Sequence, residues 1–351
     1  MASQLDKFAF NAAQTARIGW FFGQKLLAAR IGRPVRLPRA LRGRPMPDRR
    51  RILSDLRSLI EQDWRNVVAG SYVSSVDWFA NPFQEIRRAI DFFADLSAVE
   101  GRRHGARKER LVTEGVPPGR YPPYYLQKFH FQTDGYLSGA SAERYDHQVE
   151  VLFGGGAAAM RRQALVPLRR ALDRGPLGGR GAPRLLDVAC GTGRFLREVK
   201  ANYPRMFVTG FDLSPHYLAV AKRALAPWSR TRFVEGAGEA MPFADAEFDV
   251  VTCIYLFHEL PPRIRLAVVA EIRRVLRPGG TLIFVDSLQT GDEPDYDATL
   301  ELFPVAFHEP YYASYLCEDL DRLWSPGFTP GEHFPAYFSK VLSYQRDSDL
   351  S

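Results

Sequence analysis

Apolar residues recur at two different periods along the chain, and the change from one to the other near residue 184 divides it. In the first part, Ile52, Leu53, Leu56, Leu59, Ile60, Trp64 and Val67 return every three or four residues, which is one face of a helix, and Gly70 stands where such a helix stops. Upstream, FAFNAAQTARIGWFFGQKLLAARIG predicts an amphipathic helix with Phe8, Ala12, Ala16, Phe22 and Leu26 near one face and Arg17 and Lys25 interrupting elsewhere. Asn81 followed by Pro82 predicts an N-cap and first turn opening PFQEIRRAIDFFADL, while GRRHGARKER and EGVPPGRYPPYY have the composition of loops. Residues 1–125 are therefore expected to form a helical, basic extension with no catalytic pattern, ahead of a main domain over 126–351.

From Arg184 onward, short apolar runs alternate with helical stretches. RLLDVA, MFVTGFD, RFVEG, FDVVTCIYL and TLIFVDS read as strands; GTGRFLREVKANY, SPHYLAVAKRAL and PRIRLAVVAEIRRVL read as helices, the last with Ile264, Val268, Ile272 and Val275 on one stripe, and RPGG reads as a turn. Strand and helix in alternation predict an α/β, doubly wound parallel sheet with crossover helices on both faces.

Composition narrows the class without changing the fold. With 351 residues, 46% apolar and 25% charged, the chain can bury a sizeable core, so disorder, collagen and coiled coil are poor fits. The net charge of +7 is concentrated: nine arginines lie between Arg30 and Arg51 against one acid, Asp48, a run suited either to solvated linker or to anionic lipid or nucleic acid. Three scattered cysteines make neither a disulfide framework nor a C-x-x-C metal spacing and fit a reducing compartment. The most apolar long stretch, Phe8 to Ile31, is broken by Arg17, Lys25 and Arg30, so no membrane span is expected. A cytoplasmic protein is predicted, with three uses open for the first helix: a membrane-surface contact through residues 8–51, an organelle presequence, or packing on the main domain. The lack of a small-residue cleavage site argues against secretion.

Ligands of such sheets sit at the carboxyl ends of the strands. The first strand runs into Asp187-Val-Ala-Cys-Gly-Thr-Gly193, whose glycines permit a tight turn and close backbone approach, and the second ends in Asp212, placed to accept from both hydroxyls of a ribose. Together they point to a nucleoside. Leu196 stands where a dinucleotide fingerprint needs its third glycine, and no G-K-[ST] follows, so NAD and ATP lose ground to a ligand with an amino-acid tail.

LLDVACGTGRFL, FDLSP, GEAMPF, FDVVTCIYLFHELPP and VLRPGGTLIFVD resemble, in order and spacing, the successive motifs of the class I S-adenosylmethionine (SAM) dependent methyltransferases. SAERYDHQVEVLFGGGAAAMRR is similar to the Tyr-Asp helix preceding the core in the ubiquinone/menaquinone C-methyltransferase group, and FSKVLSYQR to the final antiparallel strand. The resemblance implies a Rossmann-like seven-stranded sheet and SAM as cofactor. Asp187, Gly191 and Gly193, with Ala189 in the same turn, would hold its methionine end, Asp212 its ribose, Leu213 one face of the adenine, and Tyr145 would close over the carboxylate. Gly238 and Glu239 would flank the adenine, but the family's usual Gly-Asp-Ala is here Gly236-Ala237-Gly238-Glu239. Glu239 or a backbone carbonyl must then take the adenine's hydrogen bond, since losing a charged one costs about 1.5 to 3 kcal/mol.

On the substrate side, Tyr255, His258 and Glu259 follow the fourth strand, and a His beside a carboxylate is a candidate base; the plainer alternative pairs Glu259 with Arg263. Phe303, Phe307, His308, Tyr311 and Tyr312 could line an acceptor chamber, with His130, Asp134 and Tyr136 opposite, although ordinary core packing suits most of these rings. His130, His258 and His308 with Asp134 or Glu309 have no compact metal-ligand spacing, so no metal is expected. The expected activity is methyl transfer to a hydrophobic small molecule, a quinone, isoprenoid or lipid-like acceptor. The alternatives are RNA methylation with residues 30–51 gripping phosphate, which lacks an N/D-P-P-Y/F motif after strand four, and a SAM-fold protein without chemistry.

Overall fold

A computed structural model describes residues 4–73, 82–104, 115–132, 134–174 and 181–348. Asn81 and residues 105–114 lie outside the described residues, and the start of the expected loop GRRHGARKER is helical instead, since the helix from Pro82 runs on to His104. Seven strands form one sheet: β1 (Arg184–Val188), β2 (Phe207–Asp212), β3 (Thr231–Glu235), β4 (Phe248–Ile254), β5 (Leu276–Ser287), β6 (Phe328–Ala336) and β7 (Ser339–Arg346), in the order β3-β2-β1-β4-β5-β7-β6. The first five are parallel; β7 pairs antiparallel with β5 and with β6. This is the doubly wound, Rossmann-like sheet that the alternating pattern predicts. Chain order reverses between β1 and β4, so the crossovers on either side diverge there and open a crevice at the carboxyl ends.

Burial explains why β4 reads as an uninterrupted apolar run: every residue from Phe248 to Ile254 is buried, as a central parallel strand with both faces covered requires. Helices α7 (Arg194–Asn202), α8 (Pro215–Leu225) and α9 (Pro262–Val275) cover the sheet. Val268, Ile272 and Val275 of the expected α9 stripe are buried and Ile264 is half-buried; Arg265 joins them, wholly buried, donating to the carbonyls of Phe257 and Tyr311 and paired with Glu318 at 2.9 Å. Two points differ from expectation. RPGG lies inside β5 rather than in a turn before it, accommodated by a register shift between Phe248 and Val250. β6 carries Pro330 and Pro335, which a central strand would reject; it stands at the sheet edge, where missing donors are tolerated.

Ahead of the sheet come α1 (Gln4–Ile31), α2 (Arg49–Val68), α3 (Pro82–His104), α4 (Gly139–Leu152), α5 (Ala157–Arg162) and α6 (Leu165–Asp173). The first helix forms, but its buried stripe is not the apolar face of the pattern: Phe8, Ala12 and Ala16 are exposed, Phe22 and Leu26 are half-buried, and the residues buried are Phe10, Gln14, Arg17, Phe21 and Gln24. The two residues read as interruptions point inward: Arg17 pairs with Glu150 at 2.5 Å and donates to the Gly155 carbonyl at 2.9 Å, and Lys25 donates to the Leu152 carbonyl at 2.8 Å. Hydrophobicity alone misplaces this face because α4 offers it a carboxylate and free carbonyls. Downstream, Arg162 grips Asp63 of α2 through two bonds of 2.6 and 3.1 Å, both side chains buried, and Tyr72 donates to the same carboxylate.

Between β5 and β6 lie α10 (Asp297–Phe307), α11 (Tyr312–Leu316) and α12 (Leu320–Trp324). Two of the nine clustered arginines reach this segment: Arg44 meets Glu301 at 2.6 Å, and Arg51 meets Asp295 at 2.6 Å as well as Asp55 within its own helix. Part of the basic run therefore fastens the segment after β5 to α2. No described helix is long and apolar enough to cross a membrane.

Candidate functional site

The crevice at the carboxyl ends of β1, β2 and β4 holds a cavity closed from above by α4 and the turns before it. After β1 the backbone turns through Ala189 (φ 58°), Gly191 (φ 54°) and Gly193 (φ 74°), all left-handed. Gly193 caps α7 from behind, and a Cβ there would lie 2.9 Å from Leu225 and 3.0 Å from Ala221 of α8, so both the turn and the packing exclude a side chain. Asp212 locks this turn: its two oxygens accept from the amides of Gly191 and Ser214, each at 2.8 Å. Burial pushes its carboxyl up to about 6 against those hydrogen bonds, leaving a half-satisfied acceptor facing the cavity. Asp187 accepts from Thr252 at 2.6 Å and is pushed by burial to about 7.

Of the residues expected to hold a nucleoside, Tyr145, Asp187, Ala189, Gly191, Asp212, Leu213, Gly238 and Glu239 line this cavity, with Gly193 just behind it. Glu239 is already engaged, both oxygens taking the hydroxyl of Tyr124 at 2.7 to 2.8 Å. Asp146 accepts from Thr192 and from Arg194, each at 2.7 Å, which clamps α4 onto the glycine turn; against burial, Arg194 and Arg161 hold its carboxyl below the usual range. Arg161 lines the same end. Tyr124, Asp146 and Arg161 escaped the sequence reading, although Asp146 directly follows Tyr145 in a motif already singled out.

The carboxyl end of β4 forms the opposite wall. Tyr255 (φ 59°) lines the cavity and shares a 2.8 Å hydrogen bond with Ser339. His258 is held from behind, its Nδ1 2.6 Å from Asp286, which also accepts from the Phe257 amide at 2.9 Å. Burial pulls that imidazole down, but Asp286 more than reverses it and raises the group to about 9. Glu259 does not pair with Arg263; it lines the cavity and accepts from Tyr136 at 2.5 Å, with His258 Nε2 3.9 Å away, and burial pushes its carboxyl up.

A second, largely apolar cavity of about 350 Å³ opens between α1, α3 and α4, walled by Ala28, Phe92, Leu96, Val99, Val149 and Phe307. Tyr145 borders both cavities, and His130 borders the second. His308 and Tyr311 are not among the residues lining either one: His308 turns through φ 51° and packs 5.7 Å from the Phe131 ring, while Tyr311 packs against the aromatic cluster around Phe129, Tyr136 and Tyr217. Although the sequence has no compact metal-ligand spacing, the fold brings His130, Glu259 and Glu309 together with one ligating atom each, all within 4.8 Å of one another. They come from segments about 130 and 50 residues apart in the chain, so no local spacing reveals the group; the one signal in the chain is the triplet Phe-His-Glu, which occurs at 257–259 and again at 307–309.

The methyltransferase-domain family matches residues 185–280. The chain is 33% identical over 212 residues to the ubiquinone/menaquinone biosynthesis C-methyltransferase of Methylobacterium nodulans, covering 57% of this chain and 80% of that one. It is 37% identical over 146 residues to the demethylmenaquinone methyltransferase of Deinococcus radiodurans, covering 41% and 56%. A 36% identity over 116 residues links it to the demethylspheroidene O-methyltransferase of Rhodobacter capsulatus, covering 33% and 28%. The chain spans about half the length of the first relatives that it matches. A solved SAM-dependent methyltransferase from Aquifex aeolicus overlaps it with a TM-score of 0.38 at 17% identity, over 53% of this chain and 92% of that one, too slight an overlap to bear on function. On the ordered motifs, the strand order and the match to the Methylobacterium nodulans protein, the chain belongs to the class I SAM-dependent methyltransferases, in the ubiquinone/menaquinone C-methyltransferase group.

Proposed function

We propose that the protein transfers the methyl group of SAM to a hydrophobic small molecule of quinone, isoprenoid or lipid-like type. The observation that carries this reading is that two cavities share Tyr145 as a wall: one at the strand ends, where Asp187, Asp212 and Arg161 stand among aromatic and aliphatic side chains, suits a nucleoside with an amino-acid tail, and an apolar one suits an oily acceptor. The names of the demethylmenaquinone, ubiquinone/menaquinone and demethylspheroidene methyltransferases among its relatives point the same way.

The residues present fit SAM. Asp212 keeps acceptor capacity for ribose hydroxyls, the left-handed glycine turn lets the α7 amides approach the methionine end, and Arg161 offers a cation for its carboxylate. Ala189, Gly191 and Asp187 would complete that end, Leu213 and Gly238 would face the adenine, and Glu239 would take its amino group while keeping the bond from Tyr124. When bound, SAM supplies an activated methyl group, so the protein must align the acceptor and exclude water. Glu259 presents its carboxylate at the acceptor's side of the cavity, oriented by Tyr136, and His258, fixed by Asp286, backs it. Residues 1–125 would form the acceptor's outer wall, 126–351 the transferring domain.

The exposed stripe of Phe83, Ile86 and Ile90 on α3 supports uptake of the acceptor from a membrane surface. Co-sedimentation with lipid vesicles that survives Phe83→Ser with Ile86→Ser would remove that part. The main test uses methyl-labelled SAM and a lipid extract. Label should enter the organic phase, and Glu259→Gln should abolish most of this while leaving SAM affinity unchanged; label appearing in RNA or nowhere would overturn the reading.

A further inference from the structure

Three distant segments bring ligating groups together. His130 comes from the turn Phe129–Phe131 and borders the apolar cavity; Glu259, after β4, borders the strand-end cavity; Glu309, after α10, is wholly buried. Neither carboxylate oxygen of Glu309 accepts a hydrogen bond, and the nearest basic atom is His130 Nε2 at 3.3 Å. A buried carboxylate without donors is costly unless a cation answers it. Two left-handed, non-glycine residues frame the group, His130 at φ 56° and His308 at φ 51°, and strain of that kind persists where the surroundings hold a site in place.

We propose that His130, Glu259 and Glu309 bind one divalent transition-metal cation, and that a hydroxyl or enol oxygen of the acceptor completes its coordination. The cation stands on the cluster alone; the fourth ligand rests on the reading of the apolar cavity given above. One imidazole and two carboxylates suit zinc, iron or manganese, and three protein ligands with an open position are the arrangement of a catalytic rather than a structural site. The charges of the two carboxylates and the cation cancel. A tetrahedral ion about 2.1 Å from each ligand sets ligands about 3.4 Å apart, which His130 and Glu309 already satisfy and Glu259 reaches by moving about 1 Å. Tyr136, donating to Glu259 at 2.5 Å, is the outer partner that fixes a ligand's orientation. Such an ion would fasten the acceptor's oxygen beside Glu259.

The test takes the full chain, strips it with a chelator, and titrates it separately with Zn²⁺, Mn²⁺ and Co²⁺, reading stoichiometry by elemental analysis and coordination by Co²⁺ visible absorption. One cation per chain is expected, with affinity falling at least about tenfold in Glu309→Gln and in His130→Asn. SAM affinity, measured on the same samples, should be unchanged in both variants, which also shows that they fold. Equal retention by wild type and Glu309→Gln, or no retention by protein that still binds SAM, overturns the site. One cation retained without SAM binding upholds the site and overturns the cofactor reading instead.

Discussion

Asp212 ties the glycine turn to the α8 N-terminus while facing the cavity, and burial lifts its carboxyl to about 6. In the proposed binding mode the ionised form accepts from ribose hydroxyls, so the pH at which Asp212 protonates would set where cofactor affinity falls. The folded value lies above the ordinary Asp value, so in the apo-protein the charged form is disfavoured and SAM must pull the group back toward ionisation. SAM affinity should hold above pH 7 and weaken by up to about tenfold per pH unit below 6. Asp212→Asn should bind more weakly throughout and lose that slope. Calorimetric titration from pH 5 to 8 checks both; the same slope in the variant would assign the dependence to Asp187, whose carboxyl lies near 7.

At the scale of elements, the sheet was legible because its strands are short, apolar and separated by helical stretches, and the cofactor end because its residues lie in local motifs. What escaped depends on contacts between distant segments. The inward face of α1 could not be found from hydrophobicity, because Arg17 and Gln24 are buried against Glu150 and His147 of α4. β6 was hidden by its two prolines, and the meeting of Glu309 with Glu259 by a separation of 50 positions in the chain. The Arg17–Glu150 pair makes the point quantitative. Burial pulls Arg17 down despite its partner, whereas Arg17 and Arg161 overcome burial to hold Glu150 low, so the guanidinium bears the desolvation and the carboxylate gains. Arg17→Met removes a charged hydrogen-bonded pair but leaves Glu150 with Arg161 at 3.3 Å, and should cost about 1.5 to 3 kcal/mol in urea unfolding. A loss of under about 1 kcal/mol in the single variant would mean that α1 is not docked through this pair.

For the whole molecule, the amino-terminal helices add a layer to the sheet domain. The match to the Methylobacterium nodulans enzyme covers 57% of the chain, and α1 and α3 wall a cavity that the sheet alone does not form. Buried ion pairs, Arg17 with Glu150 and Arg162 with Asp63, fasten that layer, and Arg44 and Arg51 bind the segment after β5 to it. The central claim is that SAM and acceptor occupy two different cavities that share Tyr145 as a wall. Leu96→Trp fills the apolar cavity at a position that does not line the strand-end one, and methyl transfer to a lipid acceptor is measured beside SAM affinity in that variant. The account predicts that transfer is lost while SAM affinity stays within about twofold; transfer at the wild-type rate would contradict it.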